Sequence, residues 1–118
     1  MAKYKICFVT TDNKEVAEKI ANELVSQKLA ACVNIIPSIT SIYRWEGKIE
    51  KSKEFMLVIK TKSVLVKDVI IAVKNMHNYS LPETIFFDIS DGSSQYLDWL
   101  GANTLFTSNI SKDREEDK

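Results

Sequence analysis

The sequence predicts an α+β domain of the ferredoxin-like kind, a split β-α-β-β-α-β sandwich with one extra C-terminal helix. Two observations predict it: apolar β-branched runs and amphipathic helical segments alternate in this order, and 118 residues correspond to about one domain. We expect a single domain over residues 1–104. Residues 105–118 form a C-terminal extension, and its charged last part is expected to be disordered.

The first half of the chain predicts a strand, a helix and a second strand. Residues 4–10 are rich in β-branched and aromatic side chains, which favours a strand. Residues 12–28 read as a helix that Asp12 caps, and 32–44 as the second strand. Pro37 cannot donate to a ladder, so that strand must be bulged, broken or at a sheet edge. The apolar residues that recur at helical spacing are Val16, Ile20 and Leu24.

The second half repeats this order. Glu46 and Gly47 form a tight reversal, so residues 49–61 return as a third strand and complete a hairpin. Ser63 is expected to cap the next helix, which ends near residue 77. Residues 84–89 predict a fourth strand, and 95–103 a short last helix.

The strands predict burial on both faces of the sheet. A ferredoxin-like fold covers one face with helices, so its strands should alternate between apolar and polar residues. In the first strand, however, both faces carry apolar side chains: Ile6 and Phe8 lie on one face, and Cys7 and Val9 lie on the other. The third and fourth strands behave in the same way, so we expect another copy of the chain to cover the second face.

The hairpin tip carries two aromatic residues, Tyr43 and Trp45. If the hairpin pairs with a neighbouring copy, both residues lie at an oligomer interface. The alternative is that they pack across their own hairpin.

Charge and cysteine content limit the partners. Sixteen basic and sixteen acidic residues cancel, which argues against nucleic acid or an anionic membrane as a partner. The apolar run from Ile6 to Val9 is too short to span a membrane. Two cysteines, Cys7 and Cys32, make no disulfide framework, so we expect a cytoplasmic protein.

Enzyme motifs are missing from the sequence. It has no Gly-rich phosphate loop, no HExxH pair, no Gly-x-Ser-x-Gly elbow and only one histidine. We therefore expect a binding protein rather than an enzyme.

Five segments resemble the CutA family of divalent-cation tolerance proteins: KLAACVNIIP, SIYRWEGKIE, EFMLVIKT, HNYSLPE and YLDWL. The resemblance runs from about Val9 to Asn103. It implies a compact homotrimer of ferredoxin-like subunits and a role in tolerance of copper and other divalent metals. A chain of 118 residues can bury enough surface to fold without a metal or a disulfide, so no cofactor is expected to be needed for folding. The chain departs from the family pattern at Asn78, where many members have proline after the histidine.

The resemblance also implies a set of metal ligands. His77, Tyr79 and Glu83 match the family's loop pattern; imidazole and carboxylate can bind a metal, and Met76 or Cys7 can add a soft sulfur. Copper-associated bacterial members have a strand-one cysteine where this chain has Val9. Cys7 lies on the same strand face but about 6.6 Å away. The alternative is that His77 caps a helix and Glu83 is solvated.

A second set of residues favours a small-ligand pocket at a subunit junction: Lys60, Thr61, Tyr79, Glu54 and Trp99. The corresponding function is a trimeric small-molecule sensor or protein-interaction module without physiological metal binding. The alternatives are a solvated strand end for Lys60 and a core position for Trp99. Cys32 is expected in the core.

Overall fold

The predicted element order is confirmed by the computed structural model, which describes residues 2–110. The sheet is antiparallel with strand order β2-β3-β1-β4, and the two main helices cover one of its faces. The prediction of disorder concerns the charged residues 111–118, which lie outside the described residues. The elements are β1 (Tyr4–Thr11), α1 (Lys14–Ser26), β2 (Cys32–Trp45), β3 (Lys48–Lys62), α2 (Val66–Met76), β4 (Ile85–Asp88) and α3 (Ser94–Ala102).

Two helix starts differ from the prediction. The side chain of Asn13, not Asp12, caps α1 by accepting the backbone N–H of the residue three positions on. Ser63 does not cap α2: its hydroxyl donates to the carbonyl of Ala2, and residues 63–65 form a 3-10 turn before the helix begins at Val66. Ser63 therefore serves to hold the N-terminal segment rather than the helix.

The β2–β3 hairpin has the predicted reversal and a bulge at the proline. Glu46 and Gly47 both have positive φ, 49° and 78°, as in the two-residue turns that suit strand twist. The register shifts between Ile36 and Ile39, where Ser38 also has positive φ, 61°. Because β2 is also an edge strand, Pro37 needs no ladder partner.

The core lies between the sheet and helices α1 and α2. Cys7 and Val9 of β1 and Leu57 and Ile59 of β3 are completely buried beneath these helices. Helix α1 contributes Ile20 and Leu24 of the apolar stripe that the sequence predicted, and α2 contributes Val69 and Val73. This burial stabilises the domain by the hydrophobic effect.

The second face of the sheet is apolar and uncovered in one chain. We call it the open face, and it comprises Ile6, Phe8, Ile36, Met56, Val58, Ile85 and Phe87. Ile85 and Phe87 remain 45% and 50% exposed, and the rings of Phe8 and Phe87 contact each other with centroids 5.1 Å apart. The prediction that both faces of the sheet are apolar is confirmed.

Candidate functional site

A cleft of about 820 Å³ opens beside the open face, between the outer half of the hairpin and the loop that joins α2 to β4. A volume of this size is typical of small-molecule sites. Its lining residues are Thr10, Ile39, Thr40, Ser41, Ile42, Tyr43, Trp45, Glu54, Met56, Tyr79, Ser80, Leu81 and Glu83.

The bulge in β2 determines which side chains reach the cleft. Residues Ile36 and Met56 are paired across the strands, and so are Ile39 and Glu54, so β2 has one residue more than β3 between these pairs. One extra residue reverses the side-chain alternation of β2 beyond the bulge. Beyond the bulge, the odd-numbered residues of β2 therefore lie on the same face of the sheet as Glu54, and they include Tyr43 and Trp45.

Glu54 is the buried charge of the cleft. Its side chain is only 6% exposed, and its Oε2 accepts a hydrogen bond of 2.7 Å from the Tyr79 hydroxyl. Neither of the two ion pairs in residues 2–110 includes Glu54. Burial, and next the hydrogen bond to Glu54, raises the pKa of Tyr79 well above its usual 10.

Glu83 adds a second negative charge at the exposed edge of the cleft. Partial burial and then the charge of Glu54 raise the pKa of the Glu83 carboxyl above its usual value. Of the residues that the structure describes, Glu54 and Glu83 are the only charged ones that line the cleft. The site therefore favours a cation, which would relieve the repulsion between the two carboxylates.

His77 lies next to the cleft with both ring nitrogens in hydrogen bonds. The backbone N–H of Tyr79 donates to Nδ1 at 2.9 Å, so Nδ1 carries no proton. Nε2 therefore carries the proton and donates to the Thr10 carbonyl at 2.8 Å. Metal binding by His77 requires that one of these hydrogen bonds is broken.

Asn78 attaches the same loop to the end of β1. Thr11 donates its hydroxyl proton to the Asn78 Oδ1 at 2.7 Å, and the Asn78 Nδ2 donates to Asp12 at 2.8 Å. These bonds hold the loop against the end of β1.

The predicted sulfur ligands lie away from the cleft. Cys7 is completely buried on the helix side of the sheet, where burial, and next the charge of Glu83, raises the pKa of its thiol to about 12. Met76 is half-buried and lines a different groove, between α1 and α2. Within residues 2–110, no three His, Cys, Asp or Glu side chains form a group that can hold a metal ion. The predicted ligand set therefore makes no complete metal site in this part of one chain.

Only two of the five predicted pocket residues meet in one chain, namely Glu54 and Tyr79. Thr61 is buried and donates to the Leu29 carbonyl at 2.6 Å. Trp99 is 45% exposed on α3, beside Tyr96, and so is not in the core. A pocket that includes these residues across a subunit junction stays a prediction.

Lys60 lies on the open face of the sheet. Its ammonium group donates to the Asn34 Oδ1 and lies 3.9 Å from the Cys32 sulfur. Cys32 is partly exposed, so its expected core position was wrong.

Tyr43 and Trp45, the predicted interface residues, both line the cleft and are 43% and 44% exposed. The sequence pattern did not indicate that they share a cleft with Glu54. Pro37 was the available signal, because it required an irregularity, but it did not decide between a bulge and a plain edge position.

Comparison with known proteins gives consistent matches. Residues 5–103 match the family model described as CutA1 divalent ion tolerance protein. The chain is 42% identical to the divalent-cation tolerance protein CutA of Thermus thermophilus, over 85% of this chain and 97% of that protein. It is 44% identical to the chloroplastic protein CutA of Arabidopsis thaliana, over 84% of this chain, and spans only about half (54%) of that protein.

Solved structures have the same fold. The divalent cation tolerance protein Cut A1 from Thermus thermophilus matches with a TM-score of 0.85 and 41% identity, over 86% of this chain and 99% of that one. The periplasmic divalent cation tolerance protein CutA from Archaeoglobus fulgidus matches with a TM-score of 0.82 and 41% identity, over 85% of this chain and 97% of that one. None of the helices within residues 2–110 has the length and apolar character that a membrane span requires.

Proposed function

The chain belongs to the CutA1 divalent ion tolerance family, and from this premise we propose that it is a homotrimeric metal-binding protein in the response to, or tolerance of, divalent cations such as copper. In this proposal it is a binding protein rather than an enzyme. The proposed location is the cytoplasm, which is compatible with the free thiols Cys7 and Cys32.

The homotrimer is supported by the open face. Large side chains such as Phe87 and Ile85 stay about half exposed in one chain, and a contiguous apolar surface is unfavourable in water. Assembly of identical copies would bury it.

The observation that carries the metal proposal is the pair of carboxylates, Glu54 and Glu83, in a cleft that no basic residue of the described chain lines. Carboxylate oxygens bind divalent cations, and among first-row divalent metals Cu²⁺ binds most tightly at sites with N and O ligands. His77 joins the site when the backbone N–H of Tyr79 releases Nδ1. Cys7 is not required, because its thiol is buried and protonated.

Calorimetric titration with Cu(II) tests this proposal. We expect Glu54→Gln and Glu83→Gln to weaken Cu(II) binding by about tenfold or more, because each removes a negative ligand. Glu50→Gln is the matched control, since Glu50 lies on the same hairpin but outside the cleft. Equal affinity in all four proteins would contradict the proposal.

Electron paramagnetic resonance tests the part played by His77. Bound Cu(II) should show coupling to an imidazole nitrogen, and this coupling should vanish in His77→Ala. A spectrum with oxygen ligands alone would exclude His77 from the site.

The size of the cleft favours a second candidate function, a small-molecule sensor. A volume of about 820 Å³ with aromatic walls exceeds what a metal ion needs. A purified metal-free protein that retains a small organic molecule would support this function over the first.

A further inference from the structure

The cleft beside the hairpin combines two features that one metal ion does not use. It has a volume of about 820 Å³, and its walls include the aromatic residues Tyr43, Trp45 and Tyr79. Aromatic faces attract cations that have lost part of their hydration, and organic cations lose it more readily than metal ions.

Glu54 is largely buried and has no basic partner. It is only 6% exposed, and the Tyr79 hydroxyl donates a hydrogen bond to its Oε2. Neither ion pair of residues 2–110 includes it, so its carboxylate loses hydration without a compensating charge from this part of the chain. An ammonium or guanidinium group in the cleft would supply that charge together with further hydrogen-bond donors.

The walls of the cleft also explain why the ligand would be organic. Leu81 and Met56 give the cleft apolar surface between its carboxylates and its aromatic residues. The described part of the chain contributes no lysine, arginine or histidine to the lining, so an anionic ligand would meet only repulsion. These properties match a small molecule with an alkyl chain and one or two cationic groups.

We propose that this cleft binds a small organic cation, held by Glu54 and Glu83 against the aromatic wall of Tyr43 and Trp45. The inference names the ligand class for the small-molecule sensor, the second candidate function, and rests on it. It does not require that the protein bind copper.

Agmatine, which has a guanidinium and an ammonium group on a butyl chain, is the probe for calorimetric titration of the assembled, metal-free protein. We expect saturable binding that weakens by about tenfold or more in Glu54→Gln and in Glu83→Gln. Glu50→Gln is the control and should bind as the wild type does. 4-Guanidinobutyrate, in which a carboxylate replaces the ammonium group, should bind at least about tenfold more weakly.

Trp45 provides an independent readout. In the Trp99→Phe variant, Trp45 is the remaining tryptophan, and agmatine should change its fluorescence with the same midpoint as the calorimetric titration. A midpoint that does not move in Glu54→Gln would contradict the proposed site.

Three outcomes would overturn the inference: no agmatine binding at millimolar concentration, equal binding of 4-guanidinobutyrate, or unchanged binding in both glutamine variants. Agmatine binding would also be absent if a side chain of another copy filled the cleft, and that case would likewise overturn the inference. Cu(II) titration of the same samples separates the two proposals. Copper binding without agmatine binding overturns only this inference, and agmatine binding without copper binding overturns only the proposed metal function.

Discussion

Replacing Tyr79 by phenylalanine removes the hydrogen bond to Glu54 and keeps the aromatic ring. The Tyr79 hydroxyl donates to Glu54 at 2.7 Å, and this acceptor is 6% exposed. Hydrogen bonds to charged groups contribute about 1.5–3 kcal/mol, and loss of the donor leaves a buried carboxylate without a partner. Since Tyr79 itself is only partly buried, we expect a loss of about 2 kcal/mol per subunit in the free energy of unfolding.

Guanidinium unfolding at pH 7, with equal protein concentrations, measures this loss. Tyr96→Phe is the matched control: the Tyr96 side chain is 45% exposed, and its hydroxyl forms no hydrogen bond described in residues 2–110. We expect the control to lose less than about 0.5 kcal/mol. Equal losses in Tyr79→Phe and Tyr96→Phe would show that the Tyr79–Glu54 hydrogen bond does not stabilise the folded protein.

Alkaline titration provides a second test of the same bond. The pKa of Tyr79 is higher in the folded protein than its usual 10, so the folded state holds this proton more tightly than the unfolded chain does. The resulting stabilisation is complete below pH 10 and is lost as the pH rises above that value. Tyr79→Phe should therefore lose stability less steeply above pH 10 than the wild type, and identical slopes would contradict the assignment.

Three further predictions concern single side chains. Glu83→Gln should raise the melting temperature at pH 7 but not below pH 4, because the pKa of Glu83 is raised in the folded protein and its ionisation therefore disfavours folding. A thermal scan that shows an equal effect at both pH values would contradict this. In Cys32→Ser, the buried Cys7 thiol should react with a thiol reagent only when the protein unfolds, and rapid reaction of the native protein would argue against its burial. Asn78→Ala should lower the free energy of unfolding by about 1 kcal/mol in guanidinium, since it removes the hydrogen bonds to Thr11 and Asp12. An unchanged free energy of unfolding would show that these bonds do not hold the loop.

The fold followed from the sequence because its signals are periodic and local. The apolar residues of α1 recur every three or four positions, and Glu46-Gly47 marks the reversal without help from distant residues. The apolar residues of β1 likewise indicated the open face, because strand alternation assigns each side chain to one face or the other. The capping residues were harder to predict because neighbouring polar side chains can each cap the same helix. Asn13 caps α1 where Asp12 was predicted, and Ser63 bonds to Ala2 rather than to the start of α2.

The site was only partly predictable because it depends on the β2 register. Glu54, Tyr79 and Glu83 were identified as candidates, but one extra residue near Pro37 brings Tyr43 and Trp45 onto the face of Glu54. A sequence does not show which carbonyl a histidine will meet, so the engagement of both ring nitrogens of His77 could not be predicted. The predicted sulfur ligands lie elsewhere because strand alternation directs Cys7 towards the helices.

Native mass spectrometry shows whether the two carboxylates of the cleft make a cation site in an assembled protein. We expect a trimer, three copies of a 13.4 kDa chain, that takes up Cu(II) and loses this uptake when Glu54→Gln and Glu83→Gln are combined. We expect the combined variant to remain a trimer, because the large apolar side chains of the open face, such as Ile85 and Phe87, are unchanged. A monomer would contradict the proposed assembly, and equal copper uptake by the wild type and the combined variant would contradict the proposed cation site.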